Sequence, residues 1–175
     1  WRAKHFLKYL ASINAKSIVD IGSISVYPTI WGLHDLTCTA VDISQNALDQ
    51  ALVIATKYNV QQLVTTVRSR AQSLPFADGA YDAAILGEIL EHVPDPDAVL
   101  AEAVRVTKDG GLVLISTPLA HHHYDPMHMG PENGGWNDAK LAYLLSSYKK
   151  QVIVLEKIAE EKEPSCYFVV IKKGS

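Results

Sequence analysis

Asp42 follows Gly22 by 20 residues, and the two close the short apolar runs Thr37-Cys-Thr-Ala-Val-Asp42 and Ser17-Ile-Val-Asp-Ile-Gly22. In an open parallel sheet, an acid at the tip of the second strand, about 20 residues past a glycine at the tip of the first, meets the ribose diol of a nucleoside-like cofactor. One carboxylate offers two acceptor oxygens to two vicinal hydroxyls. The plainer role for Asp42 is to cap the helix that follows, and the interval alone does not separate the two. Further along, Glu88, Glu91 and His92 stand at i, i+3 and i+4, so one helical turn would bring them to one face. Carboxylate and imidazole together suit a divalent metal. His121, His122, His123 and His128 follow the fifth strand, and His128 is the one chosen to complete such a shell. Without metal, Glu88 would touch substrate or cofactor, Glu91 would pair at the surface and His92 would pack in the turn. A neutral His92 is alternatively a general base for a hydroxyl group.

Strands and helices alternate around these residues. Phe6, Leu7, Leu10 and Ile13 recur at helical spacing before the first strand. Ser44 can cap a helix with an apolar face of Ala47, Leu48, Ala51, Leu52 and Ala55. A third strand is expected over about Leu63–Val67, a fourth over Tyr81–Leu86 and a fifth over Leu112–Thr117. Pro94-Asp-Pro-Asp97 starts a helix expected to run to Gly110-Gly111. Repeated strand–helix–strand units require right-handed crossovers, and therefore a doubly wound α/β sheet covered on both faces. After a helix at about Asn137–Tyr148, the strands Gln151–Lys157 and Cys166–Lys172 are joined by too short a link for a crossover and should pair antiparallel as a hairpin. In such a sheet ligands bind beyond the carboxyl ends of the strands. The candidates there are Asp20 to Ser23, Asp42, the Arg70–Leu74 turn, Gly87-Glu88 and Thr117-Pro118.

The motif order resembles the class I S-adenosylmethionine-dependent methyltransferases, in particular the ubiquinone-biosynthesis-type O-methyltransferases. The resemblance runs from about Ser17 to Pro118. It rests on Ile18-Val-Asp-Ile-Gly22, Ala40-Val-Asp-Ile-Ser44, the Ala71–Asp82 stretch Ala-Gln-Ser-Leu-Pro-Phe-Ala-Asp-Gly-Ala-Tyr-Asp, Glu88-Ile-Leu-Glu-His-Val-Pro-Asp-Pro96 and Gly110-Gly-Leu-Val-Leu-Ile-Ser-Thr-Pro118. It implies a Rossmann-like sheet, mostly parallel with an antiparallel C-terminal hairpin strand, and a seat for S-adenosylmethionine. Asp20 and Gly22, with Ser23, would lie near the amino-acid part of the cofactor and Asp42, with Ile43, at its ribose. The Ala71-Gln72 backbone would meet the adenine edge and Gly87 would floor the site. The implied activity is methyl transfer to a small-molecule acceptor, oxygen first. The Glu-x-x-Glu-His pattern is also similar to the metal-binding signature of small-RNA 3′-terminal 2′-O-methyltransferases, which makes a metal-assisted RNA enzyme one alternative.

Two departures from the family pattern support another alternative, a non-catalytic binding or regulatory module on the same scaffold. Ser23-Ile24-Ser25-Val26-Tyr27-Pro28 stands where glycines usually continue the first loop, and β-branched residues resist both positive φ and close backbone approach. Arg70 stands where an acid commonly accepts from the adenine amine, and a guanidinium has no acceptor to offer. Trp31, Tyr124, Trp136 and Tyr143 are candidates to line an acceptor pocket.

Composition narrows the class. The chain has 175 residues with 16 basic and 19 acidic side chains, for a formal net charge of −3, which leaves no basic footprint for a long phosphate backbone, so nucleic acid is not the expected partner. That length suits a single domain able to bury roughly 70% of its unfolded surface. Only Cys38 and Cys166 are present, which excludes a disulfide framework and favours a reducing, cytoplasmic setting. No apolar run approaches a membrane span. The sequence begins at Trp1 rather than Met, and an N-terminal continuation is expected. No Gly-x-Gly-x-x-Gly turn, P-loop or Gly-x-Ser-x-Gly elbow occurs, against a nicotinamide dehydrogenase, a P-loop nucleotidase and a hydrolase with a nucleophile elbow.

Overall fold

The structure, a computed structural model, describes residues 2–23, 25–119, 136–158 and 166–174. Its elements run α1 (Arg2–Ser12), β1 (Ser17–Ile21), α2 (Tyr27–Gly32), β2 (Thr37–Asp42), α3 (Gln45–Lys57), β3 (Val64–Arg68), β4 (Tyr81–Gly87), α4 (Pro96–Val106), β5 (Thr107–Pro118), α5 (Asp138–Leu144), β6 (Val152–Ile158) and β7 (Cys166–Lys172). The seven strands form one sheet in the order β3-β2-β1-β4-β5-β7-β6. β7 pairs antiparallel with both β5 and β6 and the remaining pairs are parallel. The expected doubly wound sheet with a C-terminal hairpin is therefore present.

Alternation along the strands builds two apolar layers. Val19, Ile21, Ala84, Leu86, Val113 and Ile115 face one cluster, which α4 covers with Val99, Leu100, Ala103 and Val106 and α5 with Leu141 and Leu144. Ile18, Ala83, Ile85, Leu112 and Leu114 face the other, covered by Phe6 and Leu10 of α1 and Trp31 of α2. A side chain's neighbour in sequence thus belongs to the opposite layer, and Asp20 shares its face with Ile18, on the side of Trp31.

Three local expectations need correction. The short helix α2 has no counterpart in the sequence reading; Pro28 near its start sets φ, and Trp31 anchors it with no exposure. α4 ends at Val106 rather than at Gly110-Gly111. Thr107 instead enters β5 opposite Tyr81, with the register shifting between Tyr81 and Ala83. The two glycines serve that irregular strand entry: Gly110 has φ +77, and a Cβ on Gly111 would crowd the Asp82 carbonyl. The helix expected over Asn137–Tyr148 ends at Leu144 and continues as a 3₁₀ turn over Ser146–Tyr148.

At the bottom of the sheet Asp82 joins three segments. Its Oδ2 accepts from the Lys16 and Ser17 amides at 2.8 and 2.9 Å and from Ser17 Oγ at 3.1 Å, and its Oδ1 accepts from Lys108 Nζ at 2.7 Å. Burial alone would raise this carboxyl, but the bonds from Lys108, Lys16 and Ser17 outweigh it and hold the group well below the usual carboxylate range. A depressed acid stabilises the fold fully above its unfolded value near 3.8, and that contribution is lost as the pH falls towards the folded value. Asp82→Ala is expected to lower stability by about 2 kcal/mol at pH 7 and by much less at pH 2; urea melts at the two pH values check this.

Candidate functional site

The tips of β1, β2 and β4 meet at the division of the sheet where the chain order reverses, the place at which doubly wound folds open a crevice. A cleft of about 610 Å³ lies there, within the size range of ligand sites. Of the residues singled out from sequence, Gly22, Asp42, Ile43, Ala71, Gln72, Glu88 and His92 line it.

Each is positioned by the local chain. Gly22 directly follows β1 with φ +69, its amide donating to the Val41 carbonyl at 2.8 Å. Only glycine takes that conformation at no cost, and Ile89 packs so closely on it that an added Cβ would collide with the isoleucine side chain. Asp42 ends β2, and its Oδ1 accepts from the Ser44 amide at 2.7 Å. Ser44 caps α3, accepting from the Ala47 amide. Asp42 thus holds the loop into α3 without being the cap itself. Ala71 and Gln72 follow β3 in a turn that Ser69 ties by a bond from its Oγ to the Ser73 carbonyl at 3.0 Å.

Glu88 begins the segment after β4 with φ +58, a left-handed conformation that costs a non-glycine residue roughly 1–2 kcal/mol. Its amide is held by the Ser116 carbonyl of β5 at 2.9 Å. Its Oε1 is buried without a hydrogen bond, and Arg2 Nη1 of α1 lies 3.7 Å away. Residues 90–92 form a single turn. Glu91 points inward, 2% exposed, and accepts from Thr117 Oγ1 at 3.1 Å. Burial and then the neighbouring charge of Glu88 push its carboxyl up to about 7, against the pull of the Thr117 bond and Arg2. His92 Nε2 lies 4.0 Å from Glu91 Oε1.

The structure separates other residues from the cleft. Asp20 is buried, 4% exposed, with Trp31 Nε1 donating to its Oδ2 at 2.7 Å and Ser23 Oγ donating to the same atom at 3.1 Å. Burial raises its carboxyl to about 6, although both hydrogen bonds oppose the rise. Neither Asp20 nor Ser23 lines the cleft. Gly87 faces away from it, with Phe6 of α1 the nearest neighbour to a built Cβ, at 3.8 Å. Among the described residues no group of three His, Cys, Asp or Glu side chains is arranged to hold a metal. Glu91 turns into the protein while Glu88 and His92 face the cleft, so the i, i+3, i+4 set is not assembled. His128, like Ile24, the His121–His123 triplet and Tyr124, lies outside the described residues. Of the proposed aromatic wall, the described members lie away from the cleft: Trp31 and Trp136 are core residues and Tyr143 is 76% exposed on α5.

Val26 takes an ordinary right-handed conformation, φ −85 and ψ −28, as the residue entering α2. The departure from glycine is thus tolerated there because the chain turns into a helix instead of continuing as an open loop. Arg70, expected near the site from its turn, also lines the cleft, and Val41, Ser69, Ile89, Val93 and Pro94, which the sequence did not assign to it, complete the lining. Ile89, Val93 and Pro94 fall inside the motif that begins at Glu88, as apolar residues set among its acids.

The donor set fits S-adenosylmethionine. Asp42 offers a carboxylate to a diol, Val41, Ile43, Ala71, Ile89 and Val93 offer apolar surface to a flat base, and Glu88 adds negative charge suited to a cationic ligand.

The methyltransferase domain family model matches residues 19–115. The ubiquinone biosynthesis O-methyltransferase of Chromobacterium violaceum is 30% identical over 115 residues, covering 64% of this chain and 48% of that one. An uncharacterized methyltransferase of Mycobacterium sp. (strain JLS) is 50% identical over 50 residues, 29% of this chain and 20% of its own length. The chain thus spans between a fifth and about half of these curated relatives. Among solved structures, the 1,6-didemethyltoxoflavin-N1-methyltransferase of Burkholderia thailandensis, with bound 1,6-didemethyltoxoflavin and S-adenosylhomocysteine, superposes with a TM-score of 0.75 at 16% identity, covering 99% of this chain and 77% of that one. The family match takes in more than half of the residues and contains most of β1 and all of β2 to β4 with the cleft at their tips; this chain belongs to the class I S-adenosylmethionine-dependent methyltransferases.

Proposed function

We propose that the protein transfers a methyl group from S-adenosylmethionine to a small-molecule acceptor, at oxygen. The observation that carries this reading is the cleft at the sheet's switch point with the Asp42 carboxylate in its wall. When bound, the cofactor supplies an electrophilic methyl carbon on a sulfonium, and the protein's task is alignment and exclusion of water. In this reading Asp42 binds the sugar hydroxyls, Ile43 and Ala71 enclose the base, Gly22 leaves room at the β1 turn, and Glu88 balances positive charge. His92, on the cleft wall beside Glu88, accepts the proton that a hydroxyl acceptor must release. Oxygen is favoured over nitrogen by the ubiquinone biosynthesis O-methyltransferase relative. A cytoplasmic setting is supported by Cys38 and Cys166, both free thiols in the core; among the described residues no helix is long and apolar enough to cross a membrane.

The test has two steps. Calorimetry with S-adenosylhomocysteine should show stoichiometric binding. Methyl-labelled S-adenosylmethionine should then pass label to hydroxyl compounds in a panel that also contains amines and a short RNA. Binding without transfer to any acceptor would favour the regulatory module, and label on amines or RNA alone would replace the oxygen reading.

A further inference from the structure

Asp20 occupies a strand-tip position where sequence reasoning expects a cofactor contact, yet its carboxylate is committed elsewhere. Oδ2 accepts from Trp31 Nε1 at 2.7 Å and from Ser23 Oγ at 3.1 Å. Of the two donors, Ser23 is next in sequence to Gly22, the residue after β1 that lines the cleft. The amides of Gly22 and Ser23 donate to the Val41 carbonyl of β2, at 2.8 and 3.2 Å. Trp31 is fully buried, stacked on Tyr27 at 5.5 Å between ring centroids and in contact with Phe6 at 6.1 Å. One carboxylate oxygen therefore joins a rigid aromatic anchor in α2 to the turn that forms the cleft wall.

We infer that Trp31 and Asp20 are positioning residues for the cofactor: the indole–carboxylate bond fixes the Gly22-Ser23 turn in its receiving shape, and the site accepts cofactor fully only while Asp20 is ionised. This rests on the methyl-transfer reading and adds a control on the same site. An ionised carboxylate accepts both bonds as strong charge-assisted ones. A proton on Asp20 makes it a donor with weaker acceptor capacity, so the Ser23 bond is lost or inverted and the turn loosens. Burial brings the titration near physiological pH, at about 6. The ionisable groups that sense Asp20 are Tyr27 of α2 and Cys38 of β2; beyond Tyr27 lie Arg2 of α1 and Glu88 after β4. Tyr27 and Cys38 are both raised by burial, so they remain neutral across this range.

The test is the dissociation constant of S-adenosylhomocysteine measured by calorimetry from pH 5 to 8. Wild type should bind more weakly as the pH falls through about 6. Glu91 also titrates close to neutrality, so the diagnostic result is the shift in variants. Trp31→Phe removes the donor that lowers the Asp20 carboxyl, and the midpoint should rise by about one pH unit, which makes binding at pH 6.5 about threefold weaker through the smaller ionised fraction. Ser23→Ala should shift the midpoint the same way by less, without disturbing the core. Asp20→Asn should remove this step from the profile. In all three, kcat at saturating cofactor should hold while KM rises. If Trp31→Phe does not fold, Ser23→Ala and Asp20→Asn decide the matter. Wild-type binding with an unshifted midpoint in the folded variants overturns this inference alone; failure of the wild type to bind at any pH overturns it together with the methyl-transfer reading.

Discussion

Replacing Asp42 with Ala is expected to weaken S-adenosylhomocysteine binding by roughly two to four orders of magnitude, because the substitution removes the charged acceptor at the tip of β2. Two hydrogen bonds from a diol to a carboxylate contribute roughly 1.5–3 kcal/mol each, and each 1.4 kcal/mol is a factor of ten in affinity. The fold should survive. Asp42 is only partly buried, and the one hydrogen bond its side chain makes among the described residues, from the Ser44 amide to Oδ1, contributes about 1 kcal/mol. Asp42→Asn separates the two roles, since its side-chain oxygen can still accept from Ser44 while the charge is gone. Binding should then fall by about tenfold with the melting temperature nearly unchanged. Calorimetry on the three proteins checks the series. Equal affinity for wild type and Asp42→Ala would place the sugar elsewhere and remove the main support for the proposed function.

Much of this architecture is legible in the chain because it follows from repeating local rules. The apolar runs ending at Gly22 and Asp42, the cap at Ser44 and the short link between the last strands each specify their element within a few residues. What the sequence hid are pairings between distant positions. Asp20 looks like a ligand because an acid at a strand tip has the same local signature whether it faces a cofactor or a buried indole. The deciding fact is the period of the strand, which turns Asp20 to the face of Ile18, together with a helix too short to show periodicity that brings Trp31 to that face. The Glu88–His92 cluster fails for a similar reason. The i, i+3, i+4 argument presumes a helix, whereas the chain makes one turn with Glu88 left-handed, which sends Glu91 to Thr117 and leaves Glu88 and His92 at the cleft. The helix end misplaced at Gly110-Gly111 shows the converse, a glycine pair with the signature of a helix stop that serves a bent strand instead.

Gly22→Ala should be strongly damaging for a single-methyl change, and Ile89 should determine how damaging. The backbone contribution is intrinsic: holding an alanine at φ +69 costs roughly 1–2 kcal/mol. The steric contribution comes from Ile89, 9% exposed and packed against Gly22 so closely that its side chain must move to admit a Cβ. Overpacking of that kind adds about 1–3 kcal/mol, for a total near 2–5 kcal/mol in urea melts. Cofactor affinity should fall as well, because both residues line the cleft and the displaced isoleucine has the cleft to move into. Ile89→Ala deletes the Cγ1 and Cδ1 atoms that crowd the new methyl and leaves its own Cβ at 3.0 Å from the built position. Alone it should destabilise the fold by about 2 kcal/mol through lost burial. Combined with Gly22→Ala it should recover most of the steric part, so the double variant is more stable than the sum of the single effects by about 1–2 kcal/mol, a coupling that residues in contact can show. A double-mutant cycle with additive values would mean that the backbone conformation alone demands glycine at the β1 tip. A positive coupling would show that the same glycine also makes room for an apolar side chain that shapes the cofactor's seat.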